Sequence, residues 1–255
     1  MSIPIPVIIW MSFFNADYLI FPPSNGYSTR WYEALPFHTQ FMSSFGYSMM
    51  LALAAASLAT ALGFLAAYAL NRSPLGRSEL LSSLVTAPLA VPTIVASVAL
   101  YLFLYDIQKL LGMHLVPSFW TLVAAHVVIT LPWAFRFIYS GLQGQAMDAE
   151  RASLDLGYGP VATLFKVTLP ILRPALVGGF ILAFVFSFSD LEMGLFLVSP
   201  GQVTLPIALL QYAQFSVDPL LAVMSVVQIV IIGVLLAIAD RFINFGKIFA
   251  GGTKG

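Results

Sequence analysis

Apolar residues run along this chain in long blocks separated by short polar stretches. Six blocks stand out: roughly Ile3–Ala16, Phe41–Leu70, Leu80–Tyr105, Ser118–Leu142, Pro174–Leu197 and Pro219–Phe242. Blocks of this kind predict bilayer-crossing helices, because a helix needs about 20 apolar residues to span the hydrocarbon. Barrel strands are not expected, since the alternating apolar and polar pattern they require is absent. The first block is short, with only about 14 residues before the polar Asp17. Either the chain begins inside its first helix, or a partner shields the inner end of that helix.

Small residues mark the packing face of the second block. Ala55, Ala59, Gly63 and Ala67 recur every four residues, a strip that lets helices approach closely in lipid. Pro88, Pro92 and Pro132 fall inside the third and fourth blocks. Each removes a backbone donor and is expected to bend its helix, to line a cavity, or simply to be tolerated.

Charge changes the picture by setting the orientation. Six spans place both termini on one side. That side carries Arg72, Arg77, Arg136, Arg151, Lys166, Arg173, Arg241, Lys247 and Lys254, against Arg30 and Lys109 on the other. The positive-inside bias makes the termini, the 71–79 loop and the 143–173 segment cytoplasmic. The 17–40, 106–117 and 198–218 loops are then external.

Composition agrees. The 255 residues are 60% hydrophobic and 9% charged, with a mean hydropathy of +0.93, whereas a soluble domain carries about 25% charge. The formal net charge is zero, which gives no electrostatic case for nucleic acid. With no cysteine, disulfide frameworks and thiolate metal sites are excluded. His38, His114 and His126 show no metal-ligand spacing, and no basic region suggests a cleavable signal peptide. No Gly-x-x-x-x-Gly-Lys-Ser/Thr loop and no nucleophile–base pairing is evident, so energy must come from another chain.

The polar segment 143–173 is the one place where a cytoplasmic motor could grip. Asp148 and Glu150 suit a helix N-terminus, and a short helix is expected to about Leu156. Gly157-Tyr158-Gly159-Pro160 breaks it, and proline opens a second helix. There Val161, Leu164, Phe165, Leu169 and Leu172 form one apolar stripe at helical spacing. Such a stripe fits lipid, the protein's own helix ends, or a groove on a partner.

The same segment resembles the EAA loop of ABC importer permeases: Glu-Ala-Ala, three residues, Gly, nine residues, then Ile-x-Leu-Pro. Gly157 matches the glycine, Val167-Thr168-Leu169-Pro170 matches the ending, and Ala152 and Ser153 take the two alanine positions. Arg151 stands at the glutamate position, with Glu150 one residue earlier. Ser12-Phe13-Phe14-Asn15, Phe21-Pro22-Pro23, Tyr27 to Tyr32, Ser189-Asp190-Leu191-Glu192 and Leu205-Pro206 are similar to the polyamine, opine and phosphonate branch. The resemblance implies an all-α, six-span type I importer permease of the methionine-importer-permease-like fold. It implies one permease domain over residues 1–255, in a bacterial inner membrane.

The resemblance also implies the partners. They are two cytoplasmic ATPases carrying ATP and Mg, a second permease (a different chain, or a second copy), and an external solute-binding protein. This chain itself would hold no cofactor. Coupling to the ATPase would fall to Glu150, Arg151, Ala152, Asp155, Gly157, Val161, Leu164, Phe165, Leu169 and Pro170.

Asp190 and Glu192 are the acids nearest the middle of a predicted span, where charge is costly and usually functional. They read either as an acidic lining for a cationic solute or as partners in internal ion pairs. Two residues apart, they point to different sides unless the helix is broken there. His126 and Phe188 are further pathway candidates, with hydrogen bonding between helices and plain packing as the alternatives. The loop 17–40 is either a lid or a contact for the binding protein. A polyamine-like amine fits the acids, and opines or aminophosphonates fit the same branch. A self-contained carrier would need ion sites and an internal repeat, and neither is evident.

Overall fold

The structure is a computed structural model that describes residues 4–19, 26–72, 79–143 and 146–243. Arg77, Lys247, Lys254 and the Pro22-Pro23 turn lie outside the described residues. The helices are α1 (Pro4–Met11), α2 (Arg30–Ala34), α3 (Thr39–Arg72), α4 (Glu79–Thr86), α5 (Thr93–Leu111) and α6 (Phe119–Leu142). They continue as α7 (Ala146–Asp155), α8 (Pro160–Thr163), α9 (Leu169–Ser189), α10 (Glu192–Leu197), α11 (Leu205–Phe215) and α12 (Pro219–Ile243).

Among the described residues, five helical runs are long and apolar enough to cross a membrane: Thr39–Arg72, Thr93–Leu111, Phe119–Leu142, Pro160–Ser189 and Pro219–Arg241. The first expected span differs. Its described helix, α1, has 8 residues and rises only about 12 Å, against a hydrocarbon core of about 30 Å.

The third expected span is also divided. α4 runs into a 3-10 turn at Ala87–Ala90, Val91 turns extended, and α5 begins only at Thr93. The break falls at Pro92, which disfavours the helical region for the preceding Val91. Pro132, by contrast, lies inside the unbroken α6. α5 also continues past the expected end at Tyr105 to Leu111, where Gly112 caps it at φ 65.

The core is built by α3, α6 and α9 packing on one another, with α12 against α9 and α1 against α12. Close approach is what the small residues provide. Ala55, Ala59, Gly63 and Ala67 are all buried, as the four-residue spacing requires. A Cβ on Gly179 of α9 would lie 3.2 Å from the Cα of Ala134, and one on Gly63 of α3 would lie 3.3 Å from the Ala134 Cβ. Both outer helices therefore meet α6 at Ala134.

Polar side chains fix the helix ends. Ser118 and Thr121 form a capping box at the start of α6. Asp218 Oδ1 accepts from the backbone of Leu220 and Leu221 at 3.0 and 3.3 Å, opening α12, while its Oδ2 accepts from the Tyr212 hydroxyl at 2.5 Å. Burial first, then the Asp218 carboxylate, raises the Tyr212 phenol well above its ordinary value. Part of the 17–40 loop is tied down: Arg30 pairs with Asp17 at 2.7 Å, and Leu19 N–H donates to the Val217 carbonyl at 2.9 Å.

Candidate coupling surface and solute pathway

α7 ends in a motif that its sequence dictates. Gly157 adopts φ +85, which favours glycine. The Tyr158 N–H returns to the Ser153 carbonyl at 3.1 Å and the Gly157 N–H to Leu154 at 2.9 Å. These two bonds are a Schellman cap, satisfying carbonyls that would otherwise be orphaned. Pro160 then occupies the first turn of α8, where its missing donor costs nothing.

The apolar stripe expected over Val161–Leu172 is split. α8 passes through a π turn at Leu164–Thr168 and continues into α9. A π turn spends an extra residue per turn, so residues beyond it rotate off the face set before it. Val161 and Phe165 are exposed, at 68% and 64%, whereas Leu172 is buried in the core beside Ile138 and Leu142. Leu164 and Leu169 are half-buried, and Pro170 is exposed. Leu154, Leu156 and Tyr158 are exposed and extend the apolar rim around the Gly157 turn.

The first turn of this segment is resolved by burial. Glu150 is 6% exposed, while Arg151, Ala152 and Asp155 are exposed. Glu150 Oε2 pairs with the Arg72 guanidinium, and its Oε1 accepts from the Thr168 hydroxyl. Arg72 also stacks on Tyr68, 3.9 Å from the ring centroid. Ser153 and Thr163 share a hydrogen bond of 3.0 Å between α7 and α8. The sequence reading missed Arg72 as a partner; its only signal was a cation closing a span.

The two acids expected inside the fifth span lie instead at a helix break just past its end, since the apolar run is Pro160–Ser189 and not Pro174–Leu197. α9 stops at Ser189, Asp190 is extended, and α10 starts at Glu192. Asp190 Oδ2 accepts from the Met193 N–H at 2.8 Å, so this side chain holds the start of α10. The Glu192 carbonyl accepts from Ser97 Oγ at 2.8 Å, which fastens α5 to α10. Both acids are half-buried. The break releases them from the geometry of one continuous helix.

His126 and Phe188 stand behind this break. His126 is fully buried, with Nδ1 2.8 Å from Ser187 Oγ and Nε2 3.9 Å from Asp190 Oδ2. Phe188 is 1% exposed, stacked on Phe184 at 5.6 Å and edge-on to Phe45 at 6.0 Å. The neighbouring Phe186 is the exposed aromatic, stacked on Trp133 at 4.4 Å.

Comparison with known proteins places this geometry. Residues 59–246 match the model of the family described as "Binding-protein-dependent transport system inner membrane component". The chain is 32% identical over 215 residues to the putrescine transport system permease protein PotI of Escherichia coli strain K12, covering 84% of this chain and 76% of that one. It is 28% identical over 253 residues to the spermidine/putrescine transport system permease protein PotC of the same strain, covering 99% and 90%. Among solved structures it resembles the MetNI methionine ABC transporter in inward-facing conformations. That match has a TM-score of 0.63 and 16% identity and covers 81% of this chain and 95% of that one. A second match is an amino acid ABC transporter with histidines, with a TM-score of 0.58 and 17% identity, covering 83% and 96%. These structures share the fold; the family match over residues 59–246, together with the 32% identity to PotI, makes this chain a member of the binding-protein-dependent inner-membrane permease family.

Proposed function

We propose that this chain forms half of the translocation pathway of an ATP-driven importer for a small amine-bearing solute of the polyamine type. One observation carries the reading: Phe165 and Val161 stand exposed on the segment whose Gly157 and Leu169-Pro170 match the EAA pattern. Large apolar side chains next to Lys166 and Asp155 suit a protein groove better than water. Cytoplasmic ATPases supply the hydrolysis, with ATP and Mg on their side. A second permease, a different chain, completes the pathway, and an external binding protein delivers the solute. The coupling segment and the end of α12 are cytoplasmic, following the distribution of Lys and Arg.

The amine reading is supported by Asp190 and Glu192 at the α9–α10 break and by the printed names of PotI and PotC. Carboxylates in a low-dielectric passage favour a cation. Glu192 and Asp190 face the solute, while His126 and Phe188 shape the passage from behind.

The test is reconstitution in proteoliposomes with the ATPase, the second permease and the binding protein loaded with putrescine or spermidine. ATP-dependent uptake is expected. Uptake by this chain alone, driven by an ion gradient, would sink the importer reading.

A further inference from the structure

Arg72 closes α3, Glu150 lies in α7, and Thr168 ends the π turn that leads into α9. One buried carboxylate joins all three, Oε2 to Arg72 and Oε1 to Thr168. α3 and α9 are also the two helices that close on Ala134 of α6. The Ser153–Thr163 bond adds a second tie between α7 and α8. A buried charge held on both oxygens resists separation, because parting from Arg72 leaves the charge unpaired and parting from Thr168 loses a buried hydrogen bond.

We infer that Glu150 is a positioning residue: it ties α7 to α3 through Arg72 and to α9 through Thr168. Displacement of the coupling segment then moves both core helices together. The inference rests on the docking reading above, in which α7 and α8 meet an ATPase. It also accounts for Arg151. The internal work belongs to position 150, which leaves position 151 facing outward and free to carry a cation. Coupling between distant sites needs such a physical link between elements.

The chain has no cysteine, so the pair A69C and D148C can carry spin labels without background from this chain. Ala69 and Asp148 are both exposed, one on α3 and one on α7. The effect of Glu150→Gln is read in the assembled complex as solute taken up per ATP hydrolysed. Solute taken up per ATP falls about tenfold, and the label distance distribution broadens. Thr168→Val gives a smaller loss, and the exchanged pair R72E/E150R recovers most of the uptake per ATP. Should Glu150→Gln fail to reach the membrane, Thr168→Val and the exchanged pair give the same readings. Unchanged uptake per ATP in Glu150→Gln and Thr168→Val, or an unaltered label distance, overturns the inference. Failure of the parent chain to capture an ATPase counts against the docking reading instead. The label distance in the chain alone still judges the tie.

Discussion

A Cβ placed on Gly63 would lie 3.0 Å from the backbone nitrogen of Phe135. Backbone cannot step aside as a flexible side chain can, so this contact sets how closely α3 and α6 approach. Gly63→Val is expected to destabilise the bundle by about 1–3 kcal/mol, the usual cost of overpacking. Gly233 on α12 is the control, since nothing lies within 4 Å of its would-be Cβ. Gly233→Ala should leave stability within about 0.5 kcal/mol. Thermal unfolding in detergent measures both, and equal melting of the two variants would refute the packing account.

Phe165 and Leu172 belong to one stripe in the sequence but to two surfaces in the fold. Phe165→Glu is expected to release the ATPase while the permease melts normally, because the side chain is 64% exposed. Leu172→Ala is expected to do the opposite, losing about 2–5 kcal/mol of stability through a core cavity. Co-purification with the ATPase and melting temperature separate the two. Retained capture in Phe165→Glu counts against docking.

Much of this division could be read ahead of the structure. The spans at Phe41–Leu70, Ser118–Leu142 and Pro219–Phe242 are near their observed limits, since long apolar runs leave few alternatives in lipid. The small-residue strip through Gly63 was legible for the same reason. The π turn at Leu164–Thr168 was not: its sequence, LFKVT, carries no glycine or proline, and only tertiary contacts of Thr163 and Thr168 reveal it. The Arg72–Glu150 pair spans 78 residues of sequence, a separation that local periodicity does not address. The break at Asp190 was also hidden. Ser189-Asp190-Leu191 can continue a helix, and the choice is made by the Met193 N–H and the seat of Gly194 against Ile207.

Asp190 and Glu192 are expected to separate by readout. Asp190→Ala removes the group holding the start of α10, a capping loss of about 1 kcal/mol, and lowers both stability and uptake. Glu192→Gln keeps the carbonyl that Ser97 uses, so stability holds while uptake of the cationic solute falls. Transport assays on both single variants and the double variant decide the matter. Parent-level uptake in all three removes these acids from the pathway.

Ser187 satisfies one ring nitrogen of the fully buried His126, with 2.8 Å between Oγ and Nδ1, while Nε2 has no hydrogen-bond partner. Ser187→Ala strands a polar nitrogen in the core, at a cost of about 1–3 kcal/mol. In a His126→Phe background that nitrogen no longer exists, so the same substitution should cost little. The difference between the two backgrounds is a coupling energy of about 1 kcal/mol or more. Melting of the parent, the two single variants and the double variant yields it directly. An equal penalty for Ser187→Ala in both backgrounds would mean that the hydrogen bond is not what joins α6 to α9 at this level. The geometry argues otherwise, because Ser187 lies only three residues before Asp190, whose Oδ2 is 3.9 Å from His126 Nε2. The pair thus fixes the end of α9, from which the broken segment and its two acids depart.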